Sequence, residues 1–340
     1  MINTFIKRLK ELLSKQEDVV IITHTSPDGD AIGSSLAWLH YLRMKGHRVQ
    51  VLVSENYPDF LSWIPGISEI LICEDDKKET ANVLKEAGLV FCFDFNSVDR
   101  MEGIRPYFER SVATKILIDH HIGRDAFCDI EYTTAETSST SELVYDIIEA
   151  LGDLSMMNRE IAECLYTGIM TDTGSFSYAC EYERTFLVVA ALVKLGIDTE
   201  RIHRLVYDTY TENRLRLLGY CLSKRLTVLP ELATAYITLS KDELEKFGYK
   251  IGDTEGVVNY TINIKGIIFG ALIMERNNKI KISLRSKNDF DVNRIARLHF
   301  NGGGHKNAAG GDLYCTFDEA VRLFRNTLPM YAKELNEHKE

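Results

Sequence analysis

Three short apolar runs constrain the fold more than anything else in the chain: EDVVIIT from Glu17, LVFCFD from Leu89 and KILIDHH from Lys115. Each is four to six residues of mostly β-branched or aromatic side chains, with no alternation of polar positions, which is how a strand buried on both faces reads. Each also ends abruptly in carboxylates and imidazoles. After the first run comes AIGSSLAWLHYLRMKG, where Ile32, Leu36, Leu39 and Leu42 recur at helical spacing. Buried strands alternating with amphipathic helices predict an α/β fold, a mostly parallel sheet flanked by helices. In open sheets of this kind the carboxyl edge of the strands is where ligands bind.

Four segments would deliver polar side chains to such an edge. HTSPDGDAIGS carries His24, Asp28 and Asp30, FDFNS carries Asp94, DHH carries Asp119, His120 and His121, and TDTGSF carries Asp172 after the helical pattern NREIAECLYTGIM. Singly, an Asp behind a strand is an ordinary helix cap or turn former. Collected on one rim they are hard, anionic donors interspersed with imidazole, a set that suits Mn²⁺ first and Mg²⁺ or Co²⁺ next, unlike the thiolate sites of structural zinc. Two such ions roughly 3.5–4 Å apart can acidify a water and cradle the oxygens of an in-line displacement at phosphorus. Hydrolysis of a phosphate ester is the expected chemistry.

These motifs carry a family resemblance. The chain resembles the DHH phosphoesterases with a DHH-associated domain, in particular the stand-alone branch, often called nanoRNases, that degrades very short RNAs and dephosphorylates adenosine 3′,5′-bisphosphate (pAp). The resemblance implies that His24 and Asp28 hold one metal ion, that Asp30, His120 and Asp172 hold a second, and that Asp94 bridges the two. It also implies that His121 lies beside the scissile phosphate. Asp119 is expected to orient an imidazole from behind.

A second lobe is expected from Leu226. ELATAYITLS reads as a strand, and GIIFGALIMER with KIKISLRS reads as a hairpin turning at Asn277 and Asn278, so this smaller α/β domain should hold a mixed sheet. The helical pattern VNRIARLHF then runs into NGGGHKNAAGG. One glycine after a helix is a C-terminal cap, but Gly302, Gly303 and Gly304 followed by His305 exceed that need and could turn backbone N–H groups toward an anion. The segment resembles the DHH-associated signature, which implies substrate contacts at these glycines, at His305, and at Arg285 and Ser286 in SLRS. An arginine can grip a terminal phosphate with two parallel hydrogen bonds. One departure from the family pattern follows TDTGSF, where Ser177, Tyr178, Ala179 and Cys180 replace a basic residue; Arg184 is the candidate to take over that phosphate contact.

At 340 residues the chain is long for one core. The expected organisation is a metal-binding catalytic domain over 1–182, a helical linker over 183–225 carrying TFLVVAALVKLG and RIHRLVYDTYTENRLRLLGY, and a substrate-binding domain over 226–340. A net charge of −10 without a basic block argues against long duplexes and for short single-stranded RNA or nucleotides with few phosphates. Seven cysteines without a CxxC pair argue for a reducing cytoplasm. No run approaches the ~20 apolar residues of a membrane span, so no membrane partner is expected; the N-terminal INTFIKRLKELLSKQ reads as an amphipathic docking helix. The expected activity is hydrolysis of pAp to AMP and of short oligoribonucleotides to mononucleotides. The alternatives are a soluble phosphodiesterase for cyclic dinucleotides of the c-di-AMP/pApA type, an inorganic pyrophosphatase, and a non-catalytic nucleotide or tRNA binding module. Self-association as a homodimer is among the expected partnerships.

Overall fold

A computed structural model describes residues 2–123, 125–178, 180–276 and 279–338. Ala179 and the expected turn at Asn277 and Asn278 lie outside these residues. The chain divides into two compact units, Met1–Thr209 and Tyr210–Glu340.

The first unit is built on a parallel sheet of β1 (Asp18–Thr23), β2 (Arg48–Val53), β3 (Leu71–Ile72), β4 (Leu89–Phe93), β5 (Thr114–Asp119) and β6 (Ile130–Thr133), in spatial order β3-β2-β1-β4-β5-β6. All neighbouring pairs are parallel. Strand side chains alternate between two buried faces. Val19, Ile21, Phe91, Phe93, Ile116 and Ile118 join one core with α1 (Ile2–Leu12), α2 (Gly29–Met44), and the later helices named below. Val20, Ile22, Val90, Cys92 and Leu117 join the other, with α3 (Lys77–Glu86) and α4 (Arg105–Phe108). Burial on both faces explains why these runs carry no polar alternation. The three expected strands and the helix after the first are all present, and the strand order reverses between β1 and β4, the place where such sheets open a crevice.

Three further elements complete the frame: α5 (Thr140–Leu151), α6 (Arg159–Asp172) and α7 (Glu183–Lys194). Helices α2 and α6 cross where neither carries a side chain. A Cβ on Gly33 would lie 2.5 Å from the Cys164 carbonyl oxygen, and one on Gly168 would lie 1.9 Å from Ser141 Oγ and 2.8 Å from Asp30 Oδ1. This close approach brings the C-terminal end of α6, and Asp172 with it, to the rim that the strands form.

The residues expected to be a separate linker are shared out. Helix α7 and α8 (Thr199–Tyr207) pack into the first unit through Val188, Leu192, Ile202 and Val206. The next helix, α9 (Glu212–Tyr220), and the π-helical turn Cys221–Arg225 belong to the second unit, where Leu217 and Cys221 are buried.

The second unit has a mixed sheet of β7 (Leu226–Leu229), β8 (Thr234–Leu239), β9 (Phe269–Arg276), β10 (Lys279–Ser286), β11 (Gly302–Gly304) and β12 (Ala308–Leu313), ordered β11-β12-β10-β9-β8-β7. Only the β8–β9 pair is parallel among the described strands. The expected hairpin is β9–β10. Between β8 and β9 lie α10 (Lys241–Lys246) and α11 (Asn259–Ile262), and α12 (Val292–His299) and α13 (Phe317–Thr327) cover one sheet face.

The glycine segment differs from its expected form. Gly302–Gly304 is a strand paired antiparallel with Ala309–Gly311, not a nest. The ladder is too tight for side chains: a Cβ on Gly302 would meet the Gly310 carbonyl oxygen at 1.8 Å, and one on Gly311 would meet that of Phe300 at 2.1 Å. Close backbone packing thus accounts for most of the glycine density.

The α2–α6 crossing makes a stability prediction. Gly168→Ala should lower the unfolding free energy by about 1–3 kcal/mol through overpacking, read as a lower urea midpoint at unchanged slope. An unshifted midpoint would mean that the helices separate freely.

Candidate active site

Each first-unit residue singled out in the sequence falls on the carboxyl edge of β1, β4 and β5 or at the end of α6. His24 follows β1, Asp94 follows β4, Asp119 closes β5, and His120 and His121 come directly after it. Asp28 caps α2, its Oδ1 accepting from the N–H groups of Asp30 and Ala31 at 3.0 and 3.1 Å, while its Oδ2 lies 3.8 Å from His24 Nε2. The ordinary capping role and the candidate ligand role are therefore held by one side chain, one oxygen each.

Two of the donor clusters that result are His24 with Asp28 and Asp94, and Asp30 with His120 and Asp172. Asp94 stands between them. Its Oδ2 lies 3.5 Å from His24 Nε2 and its Oδ1 lies 3.3 Å from His120 Nε2. His120 Nε2 is also 3.4 Å from Asp172 Oδ2 and 3.8 Å from Asp30 Oδ2. The aim of Asp94 is set by its backbone, which takes a left-handed φ of 66°. Asp tolerates this region better than most residues, and strained backbone of this kind concentrates at functional sites.

The imidazoles are oriented from behind. His24 Nδ1 lies 2.9 Å from the carbonyl oxygen of Thr25, to which it can only donate, and this fixes the ring so that Nε2 faces Asp28 and Asp94. His121 Nδ1 lies 2.7 Å from Asp119 Oδ1, the orienting contact expected of Asp119.

Charge is concentrated without relief by any Lys or Arg among the described contacts of this cluster. Burial, with Asp94 and Asp172 close by, pushes the Asp30 carboxyl well above the usual carboxylate range. Burial and the neighbouring Asp94 and Asp28 outweigh His120 and push Asp172 up to about 6. Burial opposes a charge on His120, yet Asp172, Asp94 and Asp30 hold its proton up to about 10. Asp94, equally buried, is held well below the usual range because His120 and His24 outweigh the cost. The donor set fits two hard divalent cations: carboxyl oxygens and imidazole nitrogens, which would shed their protons to an ion, lie close enough together to share one, and Asp119 Oδ2 and Ser141 Oγ are buried beside them without a hydrogen-bond partner.

One group of functional residues escaped the sequence reading. In TSSTSE, the first turn of α5, the N–H of Thr140 donates to Asp30 Oδ2 at 2.7 Å and that of Ser141 donates to Asp30 Oδ1 at 2.8 Å, while Thr140 Oγ1 donates to Asp94 Oδ1 at 2.9 Å. The available signal was Ser139-x-x-Glu142 before an apolar run, a capping pattern. Ser139 Oγ does accept from Glu142 N at 3.0 Å.

In the second unit, the register places Arg285 opposite Ala308, and Gly304 opposite Ala309. Gly302 and Gly303 precede them on β11, and the His305 N–H donates to the Ala308 carbonyl at 2.7 Å. Arg285 and His305 are half-buried. Ser286 is committed locally: its hydroxyl donates to the Phe290 carbonyl at 2.6 Å and accepts from Asn307 Nδ2 at 2.9 Å, leaving one lone pair for anything else. Arg184 is likewise committed, to Asp146 at 2.9 Å and to Glu149 at 2.5 Å, so the substitute phosphate contact offered for the Ser177 region is engaged elsewhere.

Residues 18–169 match the DHH family, N-terminal domain, and residues 231–334 match the DHHA1 domain. The crystal structure of an exopolyphosphatase-related protein from Bacteroides fragilis is similar over 98% of both chains, at 42% identity and a TM-score of 0.91. The bifunctional oligoribonuclease and PAP phosphatase NrnA of Bacillus subtilis is 29% identical over 92% of this chain and 94% of its own. RecJ from Thermus thermophilus, solved in complex with Mn²⁺, shares the fold at 14% identity and a TM-score of 0.54, with 98% of this chain covering 55% of RecJ. Divalent metal binding is thus represented among proteins of this fold. With the donor clusters on the carboxyl edge of its first sheet and both domains matched in order, the chain belongs to the DHH family and is a phosphoesterase with a DHHA1 domain.

Proposed function

We propose that this protein is a two-metal phosphohydrolase that converts pAp to AMP and phosphate and degrades short oligoribonucleotides to mononucleotides. The observation that carries the reading is Asp94, which presents one oxygen to each donor cluster. The end-to-end likeness to an oligoribonuclease and PAP phosphatase supports the substrate class. Seven free cysteines suit a cytoplasmic enzyme, and among the described residues no helix is long and apolar enough to cross a membrane.

Two divalent cations, Mn²⁺ preferred, would be held by His24 and Asp28 on one side and by Asp30, His120 and Asp172 on the other, with Asp94 shared; bound there they supply the positive charge that acidifies water and offsets charge on phosphoryl oxygens. The chain's own residues do the rest. Asp30 and Asp94 are held in place by α5, so the anionic frame needs little reorganisation when substrate arrives. His121, its Nδ1 fixed by Asp119, is the imidazole suited to deliver a proton to the leaving oxygen. In the second unit Arg285 is the group suited to a terminal phosphate, with His305 and the bare Gly302–Gly304 strand admitting the nucleotide close to the backbone. Few phosphates are gripped, in keeping with the acidic chain.

The test is one purified sample with Mn²⁺ assayed against pAp, ribo-di- to pentanucleotides, a cyclic dinucleotide, inorganic polyphosphate and pyrophosphate. Release of AMP from pAp and of mononucleotides from the short RNAs is expected; exclusive turnover of the cyclic dinucleotide or of the inorganic substrates would replace the reading, and no turnover of any would leave a binding module. Asp94→Asn, which keeps shape and tolerates the left-handed backbone, should lower kcat by at least ~10³-fold, the scale of losing a group that organises transition-state charge, with an unchanged circular dichroism spectrum. Arg285→Ala should mainly raise KM, by about 10-fold or more.

Loading should also depend on pH. Without ions His120 keeps its proton up to about 10, so an ion that takes its nitrogen must displace a proton, and affinity must fall as pH falls. Calorimetry of Mn²⁺ binding at pH 7 in two buffers of different ionisation enthalpy should show release of at least about one proton, from His120 and from the raised Asp30 carboxyl, and the affinity should be at least about tenfold weaker at pH 6.5 than at pH 7.5. Binding without proton release would remove His120 from the ligand set.

A further inference from the structure

We infer that Thr140 is a positioning residue that sets the distance between the two ion positions; this rests on the two-metal reading proposed above. Thr140 is fully buried and touches both donor clusters with different atoms. Its backbone N–H donates to Asp30 Oδ2 at 2.7 Å, and its Oγ1 donates to Asp94 Oδ1 at 2.9 Å. Asp30 belongs to one cluster and Asp94 is the residue between both. Two carboxylates that repel each other in a buried space are therefore tied to the same residue through two donors fixed a few bonds apart.

The tie is rigid for three reasons. Thr140 is the first residue of the twelve-residue helix α5, whose cap Ser139 accepts from the Glu142 N–H. Glu142 is anchored in turn, its Oε2 accepting from Ser138 N–H at 3.1 Å and from Thr185 Oγ1 at 2.8 Å. A β-branched side chain at this position has few rotamers, so the hydroxyl cannot swing away from Asp94 without cost. The hydroxyl can satisfy only one lone pair of Asp94 Oδ1, and the other stays directed toward His120 Nε2, 3.3 Å away. Thr140 thus fixes how Oδ1 of the shared carboxylate is presented to the His120 side, and through the rigid carboxyl plane where Oδ2 points. Polar groups that orient ligands from behind typically govern metal affinity by about 10–100-fold.

Thr140→Val isolates this contact, because valine keeps the shape and the backbone N–H to Asp30 and removes only the hydrogen bond to Asp94. Using the full chain stripped of ions, Mn²⁺ titrations by calorimetry and by electron paramagnetic resonance are compared for wild type, Thr140→Val, Thr140→Ala and Thr140→Ser. The expected result is that Thr140→Val and Thr140→Ala bind the first ion within about twofold of wild type, bind the second at least ~10-fold more weakly, and show the spin-coupled pair signal only at correspondingly higher Mn²⁺; Thr140→Ser restores both. Wild-type affinity and spin coupling in Thr140→Val overturn the inference. So does loss of the ion-free fold in both Thr140→Val and Thr140→Ala, which would assign the hydroxyl to stability instead. A wild-type protein that binds fewer than two ions overturns the two-metal reading itself, a result distinct from either.

Discussion

Everything at the rim of the first sheet follows from one unfavourable condition: the buried carboxyls of Asp30 and Asp94 and the half-buried carboxyl of Asp172 are crowded around His120. Buried carboxylates without partners neutralise or drift apart. Here the Asp30 carboxyl is pushed toward its neutral form, and the three are kept from drifting apart because the fold imposes their positions from several directions. The left-handed backbone at Asp94 aims that side chain, the first turn of α5 clasps Asp30 with two backbone N–H groups, and the glycine crossing of α2 and α6 presses Asp172 in from the side. The crowding is retained by hydrogen bonds and backbone placed directly against the carboxyls.

The sequence disclosed the first unit well because its signals are local. A strand buried on both faces has to be an unbroken apolar run, so EDVVIIT, LVFCFD and KILIDHH could be placed without any neighbour, and the polar residues that terminate them had to emerge on one edge. All of His24, Asp28, Asp30, Asp94, His120, His121 and Asp172 gather there. What stayed hidden is what depends on pairing across long separations. Thr140 and Ser141 look like ordinary capping residues, and nothing near them reveals that Asp30, over a hundred positions earlier, accepts their N–H groups.

The second unit shows the same limit in another form. The triple glycine suggested an anion-binding loop because flexible backbone is the local reading of GGG, whereas its partner strand turns it into an edge ladder in which carbonyl groups fill the space of side chains. Ser286 was singled out for its hydroxyl, and that hydroxyl is held by Phe290 and Asn307. The helices over 183–225 were legible as helices, but which unit each joins is decided by buried contacts such as Val188 and Leu217 that sequence spacing cannot assign.

The helix crossing has an evolutionary corollary. Since α2 carries Asp28 at its cap and Asp30 in its first turn, and α6 carries Asp172 at its last, the gap between two helix axes is also a ruler for the spacing of these carboxyls. Drift toward bulkier side chains would force the helices apart at Gly33, and at Gly168 it would press on Asp30 Oδ1 itself. Purifying pressure at those two positions would therefore track reaction chemistry, although neither glycine has a functional group to offer.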